Sequence, residues 1–128
     1  MDSDQTYLPL KQETDMIIGA CIEVHKQLGS GFLEIVYKDA LEYEFRKRGI
    51  FVEREKEYKV RYKETVLKHS FYADLVIFEK VIVEVKAKEA IANEDLAQTI
   101  NYLKCSGCKV GLIVNFGSSV IGLKRVVF

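Results

Sequence analysis

Three ionisable residues interrupt a stretch of the sequence that is otherwise apolar. Asp74, Glu84 and Lys86 lie within residues 71–88, whose alternating apolar side chains predict two β-strands. Residues two apart on a strand share a face, so Glu84 and Lys86 project to the same side. Carboxylate oxygens are the ligands that Mg²⁺ and Mn²⁺ prefer. The pattern predicts a metal site at Asp74 and Glu84, with the backbone carbonyl of Val85 as a candidate third ligand.

The connection between the two strands decides whether Asp74 can join Glu84. A two-residue turn at residues 79–80 would place the Asp74 side chain on the opposite face from Glu84. A connection of three or five residues, or a bulge, places Asp74 opposite Glu84 or Lys86 instead. We predict the odd connection or the bulge, which brings the charged side chains together.

Such a cluster suits one kind of chemistry. A bound divalent ion lowers the pKa of its water and polarises a phosphate oxygen, while Lys86 can orient the nucleophile and offset developing negative charge. Hydrolysis of a phosphodiester fits these parts. The alternative is a salt-bridged patch on an exposed sheet face. The apolar residues around the cluster argue against that alternative.

Hydrophobic periodicity predicts the elements that must position these residues. Apolar residues at three- and four-residue steps predict helices, and period-two segments predict strands. The predicted helices are Thr14–Leu28, which Thr14 or Asp15 can cap, Phe32–Arg48 and Asn93–Cys105, and the predicted strands are Phe51–Tyr62, Val66–Phe78, Val81–Ala87, Val110–Asn115 and Leu123–Phe128. The order ααβββαββ predicts an α/β (α+β) domain with helices packed on a mixed sheet of about five strands.

Composition bounds the class of protein. With 128 residues, 48% hydrophobic and 30% charged, the chain predicts one soluble globular domain over residues 13–128, preceded by a loose lead-in at 1–12. Nineteen basic residues balance nineteen acidic ones, so no general field attracts a polyanion. The acidic start and the lack of a long apolar run predict a cytoplasmic protein without a membrane segment.

The sulfur and imidazole side chains offer a second possible metal site. Cys21 and His25, together with Cys105 and Cys108, could supply four ligands to a structural zinc. Cys21, however, lies on the apolar stripe of its predicted helix, and Cys105 lies near a helix end. We therefore expect no zinc and reduced thiols. His25 either approaches the pocket or caps the first helix, and we favour the structural role.

Several motifs occur in a fixed order along the chain. They are His25-Lys-Gln-Leu-Gly29, Gly31-Phe-Leu-Glu34-Ile-Val-Tyr37, Ala73-Asp74-Leu75, Val83-Glu84-Val85-Lys86, Gln98 with Tyr102 and Leu103, and Gly111-Leu-Ile-Val-Asn115-Phe-Gly117. This set resembles the PD-(D/E)xK nuclease superfamily and, within it, the GxxExxY protein family, from about Thr14 to the C-terminus. Ala73 stands where the superfamily pattern nominally has a proline.

The resemblance implies a restriction-endonuclease-like core and a set of site residues. The metal, Mg²⁺ or Mn²⁺, would be bound by Asp74 and Glu84 with help from Glu34, and Lys86 would take the place of the catalytic lysine. The matching catalytic positions are Glu34, Asp74, Glu84, Lys86 and Gln98, with His25, Tyr37 and Tyr102 as possible supporting positions. For Glu34 the alternative is a solvated acid that is favoured by the helix dipole.

Two functions from different classes remain open at this stage. The first is a magnesium-dependent nuclease, a hydrolase of nucleic-acid phosphodiesters, and the second is a catalytically silent nucleic-acid-binding or protein-interaction module with the same fold. Nucleic acid is the expected ligand, and a homodimer or a partner protein would enlarge the binding surface. Part of a basic groove could come from Lys56, Lys59, Arg61, Lys63 and Lys68, although lysines that protect an edge strand are the simpler account. Tyr58, Tyr62 and Tyr72 are expected to pack on strands.

Overall fold

The computed structural model describes residues 8–128. Most of the predicted lead-in, residues 1–7, lies outside the described part. The described elements are α1 (Lys11–Leu28), α2 (Glu34–Lys47), β1 (Val52–Tyr58), β2 (Arg61–Tyr62), β3 (Thr65–Val66), β4 (Phe71–Ile77), β5 (Val81–Lys86), α3 (Asn93–Ser106), β6 (Val110–Asn115) and β7 (Gly122–Val127). None of the helices within residues 8–128 is long and apolar enough to cross a membrane.

Five strands form one mixed sheet in the order β1-β4-β5-β6-β7. Strands β1, β4 and β5 are antiparallel neighbours, as expected of a meander. Strand β6 runs parallel to β5, because helix α3 carries the chain back across the sheet between them. Strand β7 is antiparallel to β6 and forms an edge. The predicted α/β class and the mixed five-stranded sheet of a restriction-endonuclease-like fold are confirmed.

Helices cover both faces of this sheet. Helices α1 and α2 pack on one face over a core that includes Tyr37, Leu41 and Phe45. Helix α3 packs on the other face, where Leu103 meets Ile82 and other strand residues. Strand β5 lies between the two layers and is buried along its length apart from its last residue. A charged residue in that strand therefore needs partners that compensate for its burial.

The structure corrects the predicted starts of two helices. Helix α1 begins at Lys11, and Thr14 lies inside it as a buried residue whose hydroxyl donates to the Lys11 carbonyl at 3.1 Å. The proposed cap at Thr14 or Asp15 is therefore wrong. Helix α2 begins at Glu34, two residues later than predicted.

The two long predicted strands flanking residues 63–64 are each divided. The predicted turn at Lys63-Glu64 is present, but it closes a separate two-stranded hairpin, β2–β3, that is not part of the main sheet. Periodicity continues across these breaks, so it could not reveal where the chain leaves one sheet and enters another.

Candidate active site

A three-residue connection joins β4 to β5. The register pairs Ile77 with Val81 and continues to Leu75 and Val83. Phe78 and Glu79 both have positive φ angles, 58° and 59°, and the Lys80 amide donates to the Ile77 carbonyl at 3.0 Å, as in a type I′ turn with one added residue. Continuing the register by one position places Asp74 opposite Glu84. The predicted odd connection is confirmed.

The backbone ladder between β4 and β5 stops at Leu75, and two carboxylates replace it. The backbone N–H of Asp74 donates to Oε2 of Glu84 at 2.9 Å. The backbone N–H of Val85 donates to Oδ2 of Asp74 at 2.8 Å. Each carboxylate thus accepts the strand amide that a carbonyl would otherwise have taken. These reciprocal hydrogen bonds hold the two acids side by side, and we call them the carboxylate pair.

Burial and proximity perturb the ionisation of this pair. Glu84 is 3% exposed. Burial, together with the neighbouring charge of Asp74, raises the pKa of Glu84 to about 8, although the Asp74 amide and the ammonium groups of Lys86 and Lys38 oppose the shift. A positive charge beside the pair would favour the ionised form of Glu84 and so oppose this shift.

A lysine from helix α2 already supplies one such charge. The Nζ of Lys38 lies 3.2 Å from Oδ1 of Asp74 and also forms an ion pair with Glu55. Glu55 is left out of the β1–β4 ladder and has a left-handed backbone, with φ of 52°. That conformation interrupts β1 beside Asp74. Lys38 is therefore the counter-ion of the pair on the side of α2.

Lys86 is held at the start of helix α3. Its Nζ lies 3.8 Å from Oδ1 of Asp95, and the Nζ of Lys88 lies 2.5 Å from Oδ2 of the same carboxylate. Asp95 also accepts the N–H of Ala92 at 2.8 Å. Burial raises the pKa of Asp95, but the hydrogen bonds from Lys88 and Ala92 outweigh it and lower the pKa overall. Asp95 is thus an ionised anchor for both lysines.

The end of β6 fixes the chain that follows Lys86. The buried side chain of Asn115 accepts the N–H of Lys88 at 3.0 Å and donates to its carbonyl at 2.8 Å. A Cβ on Gly117 would lie 2.0 Å from the Lys88 carbonyl oxygen, so only glycine fits there. Asn115 and Gly117 therefore set the path of the chain from β5 to α3.

Glu34 stands at the first turn of α2, separate from the carboxylate pair. It is exposed, and it lines a cleft of about 550 Å³ together with Phe32, Leu33, Ile35, Lys38 and Ala87. Tyr37 positions this turn, since its hydroxyl donates to the Gly29 carbonyl at 2.6 Å and its ring stacks on Phe116 at 4.5 Å. Tyr37 therefore stabilises the loop between α1 and α2 that precedes Glu34.

Helix α3 brings Tyr102 close to the pair. The Tyr102 ring stacks on Phe71 with centroids 3.9 Å apart. Burial, followed by the charges of Glu84 and Asp74, raises the pKa of Tyr102. Gln98 lies one turn earlier on the same side of α3 and is exposed, and its side chain forms no hydrogen bond with another residue of the 8–128 range.

His25, Cys21 and Cys105 lie on helices α1 and α3, outside the carboxylate pair. The Nε2 of His25 is 2.9 Å from the Ser118 carbonyl, so His25 ties the end of α1 to the loop after β6. Cys21 lies on the buried side of α1, where burial raises the pKa of its thiol to about 12. Cys105 is exposed on α3. Within the part of the chain that the structure describes, no group of three or more His, Cys, Asp or Glu side chains is placed to hold a metal ion.

The donor atoms of the carboxylate pair nevertheless suit a hard cation. Both residues offer oxygen ligands, and a divalent ion would stabilise the ionised form of Glu84, whose pKa is raised by burial and by the charge of Asp74. Three of the four carboxylate oxygens already have a partner: Lys38 for one and strand amides for two. A cation at Asp74 would have to share or displace Lys38.

A model of the PD-(D/E)XK nuclease superfamily matches residues 11–126. The chain belongs to that superfamily. In this PD-(D/E)XK domain, the matched range includes the carboxylate pair, Lys86 and the helices on both sides of the sheet.

A solved structure supports the fold of the PD-(D/E)XK domain. The crystal structure of SSO0001 superposes with a TM-score of 0.59 at 18% sequence identity and covers 72% of this chain. The domain spans about half of that protein, 48% of its length. At this identity the likeness concerns the fold alone. No curated protein matches the chain significantly.

Sequence reasoning missed three residues of this PD-(D/E)XK site. They are Lys38, Glu55 and Asp95. Lys38 had a local signal, because it follows Glu34 by one helical turn and therefore lies on the same face of α2. Asp95 had another, since an acid in the first turn of a helix can cap that helix and pair with lysines at the end of the preceding strand and in the loop after it. Glu55 had none that we can identify.

Proposed function

We propose that this chain is a magnesium- or manganese-dependent nuclease of the GxxExxY branch that hydrolyses phosphodiester bonds of nucleic acid. The observation that carries the proposal is the carboxylate pair, in which reciprocal hydrogen bonds hold Asp74 beside Glu84. Glu84 precedes Lys86 by two residues on β5. Membership of the nuclease superfamily supports it.

Asp74, Glu84 and the Val85 carbonyl would hold the ion, with Glu34 assisting from α2. When bound, the ion supplies an acidified water and polarises a phosphate oxygen. Asp74 and Glu84 present oxygens to it in an arrangement already fixed by strand amides, so little ordering is needed. This role for Glu34 is supported by the cleft that Glu34 and Lys38 both line, because Lys38 contacts Asp74.

Lys86 would act on the attacking water and the phosphate. Its ammonium lies beside Glu84 and is restrained by Asp95 at 3.8 Å, a looser contact than that of Lys88. Lys86 can therefore turn toward a substrate while Lys88 keeps Asp95 neutralised. Gln98 and Tyr102, from α3, would support the site from the same side of the sheet as Lys86, which pairs with Asp95 of that helix.

A second candidate is a nucleic-acid-binding or protein-interaction module without catalysis. Two observations favour it. Lys38 already pairs with Asp74, and within residues 8–128 Glu34 does not form a three-acid group with Asp74 and Glu84 that could hold a metal ion. Either function would gain from a homodimer or a partner protein, because zero net charge gives the chain no general attraction for a polyanion. A cytoplasmic location belongs to the same proposal.

Calorimetric titration with Mg²⁺ and Mn²⁺ tests the metal site. Wild type should bind the ion, and Asp74→Ala and Glu84→Ala should bind it at least about tenfold more weakly, because each removes a direct ligand. Glu94→Ala is the matched control, since Glu94 is an exposed acid of α3 without an ion pair among residues 8–128. Equal binding by wild type and both pair variants would overturn the metal site.

A nuclease assay with Lys86→Ala separates binding from catalysis. This change should leave metal affinity close to that of wild type and lower kcat by roughly 10²–10³-fold, the effect of removing one group that stabilises the transition state. Metal binding without cleavage in wild type would favour the silent module.

A further inference from the structure

The β2–β3 hairpin differs in charge from the rest of the chain. Residues 59–69, which we call the basic hairpin, contain four basic side chains and one acidic one, Lys59, Arg61, Lys63, Lys68 and Glu64. The remaining residues contain 15 basic and 18 acidic side chains. The zero net charge of the whole chain therefore conceals a local excess of positive charge.

The basic hairpin contributes nothing to either core. Every residue from 61 to 69 is exposed, including Tyr62 at 58%. Among residues 8–128, Arg61, Lys63 and Lys68 have no ion-pair partner, and Lys63 lies over the Tyr62 ring at 5.5 Å. A two-stranded ribbon that buries no apolar face gains little stability on its own.

The base of the basic hairpin adjoins the candidate active site. The chain leaves the main sheet after Tyr58 and returns at Phe71, and these rings pack together at 5.5 Å. Phe71 also stacks on Tyr102 of α3 at 3.9 Å. Asp74 follows Phe71 by three residues of strand, or roughly 10 Å. A polyanion bound along the hairpin would therefore pass close to the carboxylate pair.

We propose that the basic hairpin binds the backbone of double-stranded DNA and so guides a phosphodiester to the carboxylate pair; this inference rests on the proposed function. Lysine and arginine side chains without partners match the charge of phosphates. A two-stranded ribbon fits the major groove of B-form DNA, whereas the major groove of duplex RNA is too narrow for it. The geometry thus selects duplex DNA as the ligand.

Fluorescence anisotropy with a labelled 20-base-pair DNA duplex tests the inference. The full chain is titrated in EDTA, so that binding is measured without metal or cleavage, at salt concentrations from about 50 to 200 mM. The triple variant Arg61→Ala, Lys63→Ala, Lys68→Ala is compared with a control triple variant of the same charge, Lys26→Ala, Lys47→Ala, Lys109→Ala, whose lysines are exposed elsewhere. Circular dichroism checks that both remain folded.

We expect the hairpin variant to bind DNA at least tenfold more weakly than the control, with a slope of log affinity against log salt that is shallower by roughly 2 to 3, about 0.9 for each lost phosphate contact. Equal binding by the two variants, or no binding by wild type, would overturn the inference. Equal affinity of wild type for duplex RNA would overturn the choice of ligand. If the hairpin variant loses DNA binding and the wild type binds no metal, this inference stands and the proposed nuclease activity is overturned.

Discussion

Strands β4 and β5 are joined in two different ways at their two ends. At the turn end, from Leu75 to Val83, backbone hydrogen bonds pair the strands and apolar side chains fill both faces. At the site end, one position further along, side-chain carboxylates of Asp74 and Glu84 take the strand amides instead. The same two strands therefore support packing at one end and a buried anionic pair at the other.

This difference shows how the fold can keep two acids in its centre. Charge burial is unfavourable, and here it is compensated only in part, by two amides and nearby lysines. The backbone hydrogen bonds at the turn end hold the two strands together whatever the charge on the carboxylate pair. We expect substitutions at the turn end to change stability and those at the site end to change ion binding.

The largest effect on stability should come from Leu75→Ala. Leu75 is fully buried against α1 and α2, and truncation would leave a cavity that costs about 2–5 kcal/mol of unfolding free energy. Asp74→Asn, at the adjacent position, should change that free energy by less than about 1 kcal/mol, because it also removes the repulsion on Glu84. Urea denaturation of both variants at pH 7 measures the contrast. If Asp74→Asn is as destabilising as Leu75→Ala, the two ends do not differ as we infer.

The turn end was also the part that the sequence predicts best. Parity of the strand pattern required an odd connection if Asp74 and Glu84 were to meet, and the three residues 78–80 provide it. Periodicity likewise predicted β6 to the residue and α3 to within one. These features depend on neighbours along the chain, which a sequence displays directly.

The electrostatic surroundings of the pair could not be predicted in the same way. Lys38 pairs with Asp74, and Asp95 pairs with Lys86, from helices whose packing depends on the whole core. Glu55 contacts Lys38 because its own backbone is left-handed inside a strand. The resemblance that suggested Glu34 and Gln98 gave their elements but not their contacts. The roles of Glu34 and Gln98 remain predictions.

The pH dependence of stability should distinguish the two ends next. In the unfolded chain Glu84 loses its proton near its ordinary pKa of 4.5, whereas in the folded protein the pKa is raised to about 8. Between these values the folded state binds the extra proton, so the contribution of Glu84 to stability is greatest below pH 4.5 and is lost as the pH rises toward 8.

Glu84→Gln isolates this contribution. Its amide oxygen can still accept the Asp74 N–H, but the side chain no longer titrates. In EDTA, the unfolding free energy of wild type should fall relative to that of Glu84→Gln between pH 5 and pH 8, as followed by urea denaturation at each pH. Parallel curves for the two proteins would show that Glu84 is already ionised in the folded state at pH 5.

The smallest predicted effect concerns Lys38 and the affinity for a cation. The Lys38 ammonium lies 3.2 Å from Oδ1 of Asp74, where it competes with any ion that approaches the pair. Lys38→Met keeps most of the apolar stem and removes the charge, so Mn²⁺ should bind roughly tenfold more tightly than in wild type. Lys80→Met is the matched control at the turn end, because Lys80 pairs with Glu13 at 3.7 Å and is far more exposed.

Calorimetry of the three proteins decides what Lys38 does at the site end. Tighter binding in Lys38→Met alone means that the lysine occupies part of the ion site and that wild-type affinity is limited by its displacement. Weaker binding in that variant would contradict this account, since it would mean that Lys38 orients Asp74 for the ion. Because Lys38 also pairs with Glu55, a displaced ammonium keeps a partner, and the exchange between lysine and metal need not disturb the packing of α2.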